Sequence, residues 1–400
     1  MINNQPQSII LVNDVKSYLL DQELLIFSIH QQRLFRFNTV AAFIWCCLEE
    51  KLPTPKVIDE LVKSFGITES QAKHDFDLIV RQWDSAGLIQ SEFDKPEIHY
   101  PTNPKIKASL NYDYSKNQQF ATTSPRYYQL LDSCFQMTFS NETQINIVHP
   151  LLKHLEVLKP LDSMTELKIT KNDSEYVLFA NKEAIDFCID EQTVTPMMHA
   201  NILALAYEKV DCLLAIHAGA VSKGDQCILL PAVSGSGKST LTAALLNEGY
   251  NYCTDDLVIL SKDTLRIRSV PVSLGIKAGS WPILATLFPI IDELPTFTRM
   301  DNKQVRYLPP PANALNNDHK KSYAVKHIVF PSYNANVPMN ISPVSTSDSL
   351  CRLTEAGYDV GGHLEISHVD NLVEWVSGMT CYTLEYNNLS DAISEIKKLL

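Results

Sequence analysis

The chain has 400 residues, 45% of them hydrophobic and 20% charged, an ordinary globular balance with room for two or three domains. Its formal net charge of −12 argues against a broad nucleic-acid surface, although a local cationic phosphate site remains open to it. The opening MINNQPQSIILVNDVKSYLL lacks a basic start and is broken by Asp14, and the apolar window Ile202 to Val221 carries Glu208, Lys209 and Asp211. Neither a signal peptide nor a membrane partner is expected, and the expected compartment is the cytoplasm.

From the amino terminus, short strands are expected at Ser8 to Val12, Tyr18 to Phe27 and Arg33 to Phe37. Asn38 suits the cap of a helix from Thr39 to about Glu49. Thr54 as a cap followed by Pro55 opens a second helix, which Gly66 stops. Thr68 with Gln71 reads as a capping box for a third, whose Ala72, Phe76, Ile79, Val80 and Trp83 share one face before Gly87. Residues 1–90 therefore read as a small winged-helix-like module, and the polar stretch 91–107, with three prolines, as a linker.

Residues 108–210 read as an α+β segment without a chemical motif. Strands are expected near Phe135 to Phe139, Leu167 to Thr170, Tyr176 to Ala180 and Ile185 to Ile189. A helix is expected from Val148 to Leu158, and another capped by Thr195-Pro196 and running to about Glu208. The nine Cys include no CxxC and the eleven His show no metal-ligand spacing, so reduced, packed thiols are the expected state.

In residues 211–400, Leu213 to Val221 and Gln226 to Leu230 read as strands joined by Lys223-Gly224-Asp225. LLPAVSGSGKSTLTAAL follows, with a helix expected from Lys238 to about Asn247 and Gly249 just beyond it. Tyr250 to Thr254 reads as a short strand stopped by Asp255-Asp256. Residues 293–322 read as a long mobile loop, and Cys381 to Tyr386 and Ser390 to Leu400 as a closing strand and helix.

A glycine-rich turn between a strand and a helix that opens with Gly-Lys-Ser-Thr is the pattern of a phosphate loop, with Ala232 in place of its usual first Gly. Residues Ser234, Gly235, Ser236 and Gly237 would turn backbone N–H groups onto phosphate oxygens, assisted by the helix N-terminus. Lys238 would reach the β- and γ-phosphates, Ser239 would hold Mg²⁺, and Thr240 completes the site. Asp255-Asp256, expected where parallel strand ends converge, offers one carboxylate for the metal, with Asp256 the candidate, and one as a base. The bland reading of that pair is a turn; the bland reading of His217, in an apolar strand, is a packed imidazole.

The stretch IHAGAVSKGDQCILLPAVSGSGKSTLTAALLNEGYNYCTDD resembles the core of the HPr kinase/phosphorylase superfamily. The resemblance implies a phosphate-loop kinase core of the kind shared with phosphoenolpyruvate carboxykinase, using ATP and Mg²⁺ to phosphorylate a serine on a protein. It implies Lys238 and Ser239 as phosphate and metal ligands, Asp255 as general base with Asp256 beside it, and His217 lining the site. Thr240 stands where the bifunctional enzyme has Glu, and the family's later Leu-Glu-Ile-Arg-Gly segment is replaced by VPVSLGIKAGSWPIL. That replacement is similar to diverged HPr kinase-like proteins of peptide-modification clusters, and makes Lys277 and Ser280 substrate-site candidates. Arg306 is a further candidate for neutralising phosphate charge.

The segment FNTVAAFIWCCLEEKLPTPKVIDELVKSFGITESQAKHDFDLIVRQWDSAGLI resembles PqqD-like domains, which accept the leader of a precursor peptide as an added strand. The resemblance makes Leu24 to Phe27 or Leu34 to Phe37 the receiving edge, with the Ile79–Trp83 face nearby. The fold expected is multidomain α/β, a PqqD-type module before a phosphate-loop kinase core. The function expected is an ATP- and Mg²⁺-dependent kinase acting on a Ser or Thr hydroxyl of a bound precursor peptide or protein. A nucleotide-gated peptide carrier and a small-molecule alcohol kinase are the alternatives, and a homo-oligomer is possible for any of them.

Overall fold

The computed structural model describes residues 9–90, 123–158, 164–172, 175–233, 235–316, 318, 321–360 and 364–400. The chain divides into two units, one of Met1–Asn103, Ser345–Glu355 and His363–Gly378, the other of Pro104–Val344, Ala356–Gly362 and Met379–Leu400. Both are mixed α/β.

In the first unit, β1 (Ile10–Leu11) pairs with β5 (Ile89–Gln90), while β2 (Val15–Leu20), β3 (Glu23–Ser28) and β4 (Arg33–Phe37) form an antiparallel sheet in that order. Ser8 lies outside the described residues. The single strand expected from Tyr18 to Phe27 is two strands. Asp21 and Gln22 are both left-handed, at φ 50° and 68°, the backbone a tight hairpin requires.

Helices α1 (Thr39–Glu49), α2 (Thr54–Phe65) and α3 (Glu69–Ser85) follow. Asn38 caps α1 by accepting from the Ala41 N–H, and Gly66 closes α2 at φ 65°. The α2 cap is Pro53 rather than Thr54, which is already helical. Thr68 accepts from Gln71 N–H at 3.2 Å, but the Gln71 amide donates forward to Asp75 at 2.7 Å, so only half of the capping box forms.

β3 is buried on both sides. Leu24 and Ile26 join the core of α1–α3 around Trp45, Phe76 and Trp83, and Phe37 stacks on Trp83 at 4.9 Å. Leu25 and Phe27, pointing the other way, are 0% and 1% exposed. The late helix Thr346–Glu355 packs on β3 and β4, and the helix Ile366–Ser377 packs on it; the two bury Leu350, Leu353, Leu372 and Val376. Thr346 N–H donates to Asp21 at 2.6 Å, Arg36 pairs with Asp348 at 3.0 Å, and Tyr18 donates to Asp370 at 2.9 Å.

The second unit begins with a five-stranded sheet of β6 (Arg126–Leu130), β7 (Ser133–Phe139), β8 (Thr165–Asn172), β9 (Glu175–Ala180) and β10 (Glu183–Cys188), running in order from β6 to β10. Helices α4 (Glu142–Leu152) and α5 (Glu191–Tyr207) pack with it. The helix expected at Val148 to Leu158 starts six residues earlier, where Asn141 caps it, and passes into a 3-10 turn at Lys153–Leu155. Thr195 caps nothing: Asp190 caps α5, and the Thr195 hydroxyl donates to Ile147 O at 2.7 Å. This core is continuous with Ala215, Ile259, Val305 and Tyr307 from further along the chain.

The remaining strands are β11 (Leu214–Lys223), β12 (Gln226–Pro231), β13 (Asn251–Thr254), β14 (Leu257–Leu260), β15 (Ile267–Arg268), β16 (Leu274–Lys277), β17 (Phe297–Thr298), β18 (Gln304–Leu308), β19 (Ser322–Tyr333), β20 (Asn340–Val344), β21 (Gly357–Val360) and β22 (Thr380–Tyr386). Helix α6 spans Lys238–Asn247. Pairings β12–β11–β14–β15–β19–β12 close on themselves, and β19 continues to β22 and β20. The sheet is mixed: β12 and β22 run parallel to β19, whereas β13 and β14 are antiparallel to β11. The stretch 293–322 is not one loop. It contains β17 and β18, which with β16 make a three-stranded sheet held by Phe297, Val305 and Tyr307 in the core. The prolines flanking this hairpin mask its alternation in the sequence.

Candidate functional site

β11 is the axis of the site. Leu214–His217 pair with β14 on one edge and Leu214–Ile216 with β21 on the other, whereas Ala218–Lys223 pair with β12 and Ala220–Ser222 with β13. The changeover falls at His217–Ala218. On one side the glycine-rich loop departs after Pro231, which pairs with Ala218. On the other, Asp255 and Asp256 interrupt the ribbon of β13 and β14, between Thr254 opposite Ala220 and Leu257 opposite His217. Loop and carboxylates thus meet at one level of β11. The convergence comes from an antiparallel ribbon with a break, not from the parallel strand ends that the sequence suggested.

Gly219 lets the two sides touch. A methyl on Gly219 would run into Thr242 Oγ1 and sit 3.3 Å from Lys238 Cγ, so α6 crosses β11 where there is no side chain. Lys238, 6% exposed, passes over this point to pair with the Asp255 carboxylate at 3.2 Å, and its ammonium also donates to Asp255 O. Sequence reading missed Gly219, and its only signal was a Gly within the apolar strand LAIHAGAV.

Asp256 is held by a histidine. His217 Nδ1 lies 3.0 Å from Asp256 Oδ1 and 3.1 Å from Asp256 O. Both oxygens are acceptors, so Nδ1 carries the proton. Burial pushes the Asp256 carboxyl up, but the His217 hydrogen bond and the charges of His199, Lys238 and His217 overcome it and hold the group well below the usual carboxylate range.

In the loop, Gly235 and Gly237 have φ 98° and 87°, a left-handed backbone suited to glycine. Ser234 lies outside the described residues. A methyl on Gly237 would collide with the Tyr386 hydroxyl, which donates to Gly237 O at 3.3 Å. The loop is therefore a backbone cradle, buttressed from behind by a buried tyrosine. Ser236 O accepts from Tyr333 N–H at 2.9 Å. Thr240 Oγ1 and Ser280 Oγ are 2.6 Å apart, which brings Ser280 to the first turn of α6, and Ser239 is partly exposed beside it.

The two cationic candidates separate. Lys277 and Arg306 lie on adjacent strands, but Lys277 pairs with Val305 and Ile276 with Arg306, so they point to opposite faces. Burial lowers the Lys277 ammonium, and Arg299, Lys303 and Lys238 lower it further. Arg306 is engaged elsewhere: it stacks 4.0 Å over Trp281 and donates to Ile291 O at 2.9 Å and Thr296 at 3.2 Å. The structure does not bring Arg306 to the loop. The turn between β17 and β18 carries Arg299 and Lys303, whose charges act on Lys277 and which both pair with Asp301, at 3.4 and 3.1 Å; the sequence hid them in an expected loop.

The segment without a motif also contributes. His199, on α5, lies 5.1 Å from the Tyr307 ring, and its buried Nε2 has no hydrogen-bond partner among the described residues. Burial lowers its imidazole, while the Asp256 and Asp255 carboxylates pull the other way. A lone His in TPMMHAN gave no signal in sequence.

The donors fit a magnesium-bound nucleotide in kind. The cradle is backbone, and Ser239 and Asp256 are oxygen donors of the sort a hard cation takes beside phosphate and water. Among the described residues, no three His, Cys, Asp or Glu side chains gather into a complete metal set, and no helix is long and apolar enough to cross a membrane.

A family model described as coenzyme PQQ synthesis protein D (PqqD) matches residues 23–89. No curated protein sequence matches the chain. Among solved structures, TbiB1 in complex with the TbiA(beta) leader peptide is 19% identical, covering 21% of this chain and 99% of that one, with a TM-score of 0.21. The Hpr(Ser) kinase/phosphatase from Coxiella burnetii is 10% identical, covering 46% of this chain and 88% of that one, with a TM-score of 0.22.

The PqqD match falls on β3 to β5 and α1 to α3. Of the two edges expected to receive a peptide, Leu24 to Phe27 is excluded. It lies in β3, whose backbone is paired with β2 on one side and β4 on the other. Leu34 to Phe37 lies in β4, one of the sheet's two outer strands. Ile79, Val80 and Trp83 are buried within the module, and Leu78, 50% exposed, is the apolar residue α3 shows to solvent.

Proposed function

We propose that the chain is an ATP- and Mg²⁺-dependent kinase that phosphorylates a Ser or Thr hydroxyl on a peptide or protein held by its PqqD-like module. The observation that carries this reading is the meeting, across Gly219, of a strand–loop–helix phosphate cradle with Lys238, Asp255 and a histidine-held Asp256.

The residues divide the work. Backbone N–H groups of Gly235 to Ser239 and the start of α6 bind the phosphates. Lys238 offsets charge that builds on the transferred group. Asp256, kept ionised by His217, would serve with Ser239 as an oxygen ligand for the metal, which would neutralise phosphate charge when bound. Asp255 takes the acceptor's proton as the new O–P bond forms and the bond to the departing diphosphate breaks. Lys277, whose ammonium feels the charges of Arg299, Lys303 and Lys238, is a candidate for neutralising phosphate charge.

The PqqD match at residues 23–89 supports the peptide half of the proposal. An extended peptide added at β4 gains main-chain hydrogen bonds, and side chains of alternate residues give selectivity. Holding the acceptor on a separate module raises its effective concentration, so the chemical site need contact only a few residues.

The test uses the full chain, Mg²⁺ and ATP labelled at the γ-phosphate, added to a soluble extract of the source cells. An Asp255→Asn/Asp256→Asn double variant runs alongside. A labelled peptide or protein that disappears with the variant is the expected result. Label confined to small molecules would point to an alcohol kinase. Absence of transfer with nucleotide still bound would point to a carrier.

A further inference from the structure

We infer that Tyr333 is the platform on which the purine of the nucleoside triphosphate stacks; this rests on the nucleotide half of the function proposed above. Strands β12, β19 and β22 run parallel, side by side. Parallel strands place ligands beyond their carboxyl ends. Here β12 leads into the glycine-rich loop, β19 ends at Tyr333 and β22 ends at Tyr386, and Tyr333 and Tyr386 are register partners. Two tyrosines therefore stand at the end of the sheet from which the loop departs.

The two tyrosines have different tasks. Tyr386, 2% exposed, turns its hydroxyl back onto Gly237 O and supports the cradle. Tyr333 is 46% exposed, and its backbone is fixed to the loop by the bond from its N–H to Ser236 O at 2.9 Å. A methyl on Gly237 would lie only 3.1 Å from Tyr333 Cβ, so the side chain departs immediately beside the phosphate cradle. The rings meet edge to face at 5.6 Å and 65°, which fixes the Tyr333 ring from one side and leaves the rest of it to solvent. A half-exposed aromatic ring on a rigid strand end, beside a phosphate cradle, suits a purine, because stacking needs a π-face and little hydrogen-bond matching.

The experiment measures binding of ATP and of inorganic triphosphate, each with Mg²⁺, to the full-length protein by calorimetry. The proteins are wild type, Tyr333→Ala and Tyr333→Phe. Stacking predicts that wild type binds ATP more tightly than triphosphate. Tyr333→Ala should lose ATP affinity by about 5- to 150-fold and keep its triphosphate affinity, while Tyr333→Phe keeps both. Retained triphosphate binding also shows that the variant cradle is folded. Equal weakening of both ligands would make Tyr333 a support of the loop and overturn the proposal. So would wild type that binds the two ligands equally, or Tyr333→Ala that loses nothing. If wild type binds neither ligand, the nucleotide reading fails first and this inference falls with it.

Discussion

Gly219→Ala is the sharpest test of how the site is built. The added methyl would meet Thr242 Oγ1 well inside van der Waals separation and Lys238 Cγ at 3.3 Å, where ordinary contact is 3.4–4 Å. Thr242 is 0% exposed on a helix whose Leu241, Ala243, Ala244 and Leu245 are equally buried, so the threonine cannot swing clear. Helix α6 must shift by on the order of an ångström, and overpacking of this kind costs about 1–3 kcal/mol. For a unit of this size each kcal/mol lowers the midpoint by roughly 2–4 °C, so a fall of about 2–12 °C is expected in a thermal melt. The companion is Thr242→Ala. Thr242 Oγ1 has no hydrogen-bond partner among the described residues, so its removal alone should cost only about 1 kcal/mol, as lost burial. In the double variant the clash disappears, and much of the Gly219→Ala loss should return, a coupling of at least about 1 kcal/mol. A Gly219→Ala protein that melts with wild type, or a double variant whose loss is the plain sum of the singles, would refute the close crossing of α6 over β11.

Other outcomes follow from the same geometry. Lys238→Met should reduce phosphotransfer at least about 100-fold, since it removes a cation aimed at developing charge, and a variant with half of wild-type kcat would rule out that role. His199→Phe keeps the ring beside Tyr307 while removing Nε2. Transfer should fall about tenfold or more with the melting midpoint held, whereas loss of stability alone would make His199 a packing residue. Leu350→Ala should destabilise the amino-terminal unit by about 2–5 kcal/mol, because Leu350 is fully buried in the layer covering Leu25 and Phe27; unchanged proteolysis of residues 9–90 would count against that layer. Stability should also depend on pH. Burial holds His154 and His199 below their ordinary value of 6.5, so the folded form takes up protons less readily than the unfolded chain. Their contribution is complete above about pH 6.5 and declines as pH falls below it. The depressed Asp256 carboxyl gives way only in strong acid. A midpoint that rises between pH 7 and pH 5 would contradict the assignment.

What was legible in the sequence was local. Helix starts carry their own signals: Asn38 and Thr68 cap as their side chains predict, and Gly66 stops α2 in the left-handed region. The loop from Gly235 to Ser239 is equally local, a glycine-rich turn between β12 and α6. Pairing across distance was not legible. The turn between Tyr18 and Phe27, Asp21-Gln22, has no Gly or Asn to mark a hairpin, and β3, buried on both faces, shows no alternation to mark its start. The second covering layer of that strand comes from residues 346–377, more than 300 positions away, and no local pattern announces it. His199, Arg299 and Tyr333 share this character: each is an unremarkable residue in its own segment and reaches the site only through tertiary structure.

The late helices bear on how a held peptide would be presented. A module joined through one linker would be a flexible tether, and linker length would set its effective concentration. The chain crosses between the two units more than once. After Val344 it enters the amino-terminal unit for the helix Thr346–Glu355, returns to the second unit at Ala356 to form β21, and re-enters the first at His363 before Gly378. On that excursion Ala356 O accepts the His217 N–H at 2.7 Å, and β21 pairs with Leu214–Ile216, on the strand that carries His217. The polypeptide that completes the amino-terminal unit is thus the same one that flanks the histidine holding Asp256. Cutting the chain between these helices would separate two effects that linker arguments merge. If only proximity matters, a nicked protein whose fragments stay associated should retain transfer. If the placement of β21 beside His217 matters, transfer should fall with peptide affinity intact.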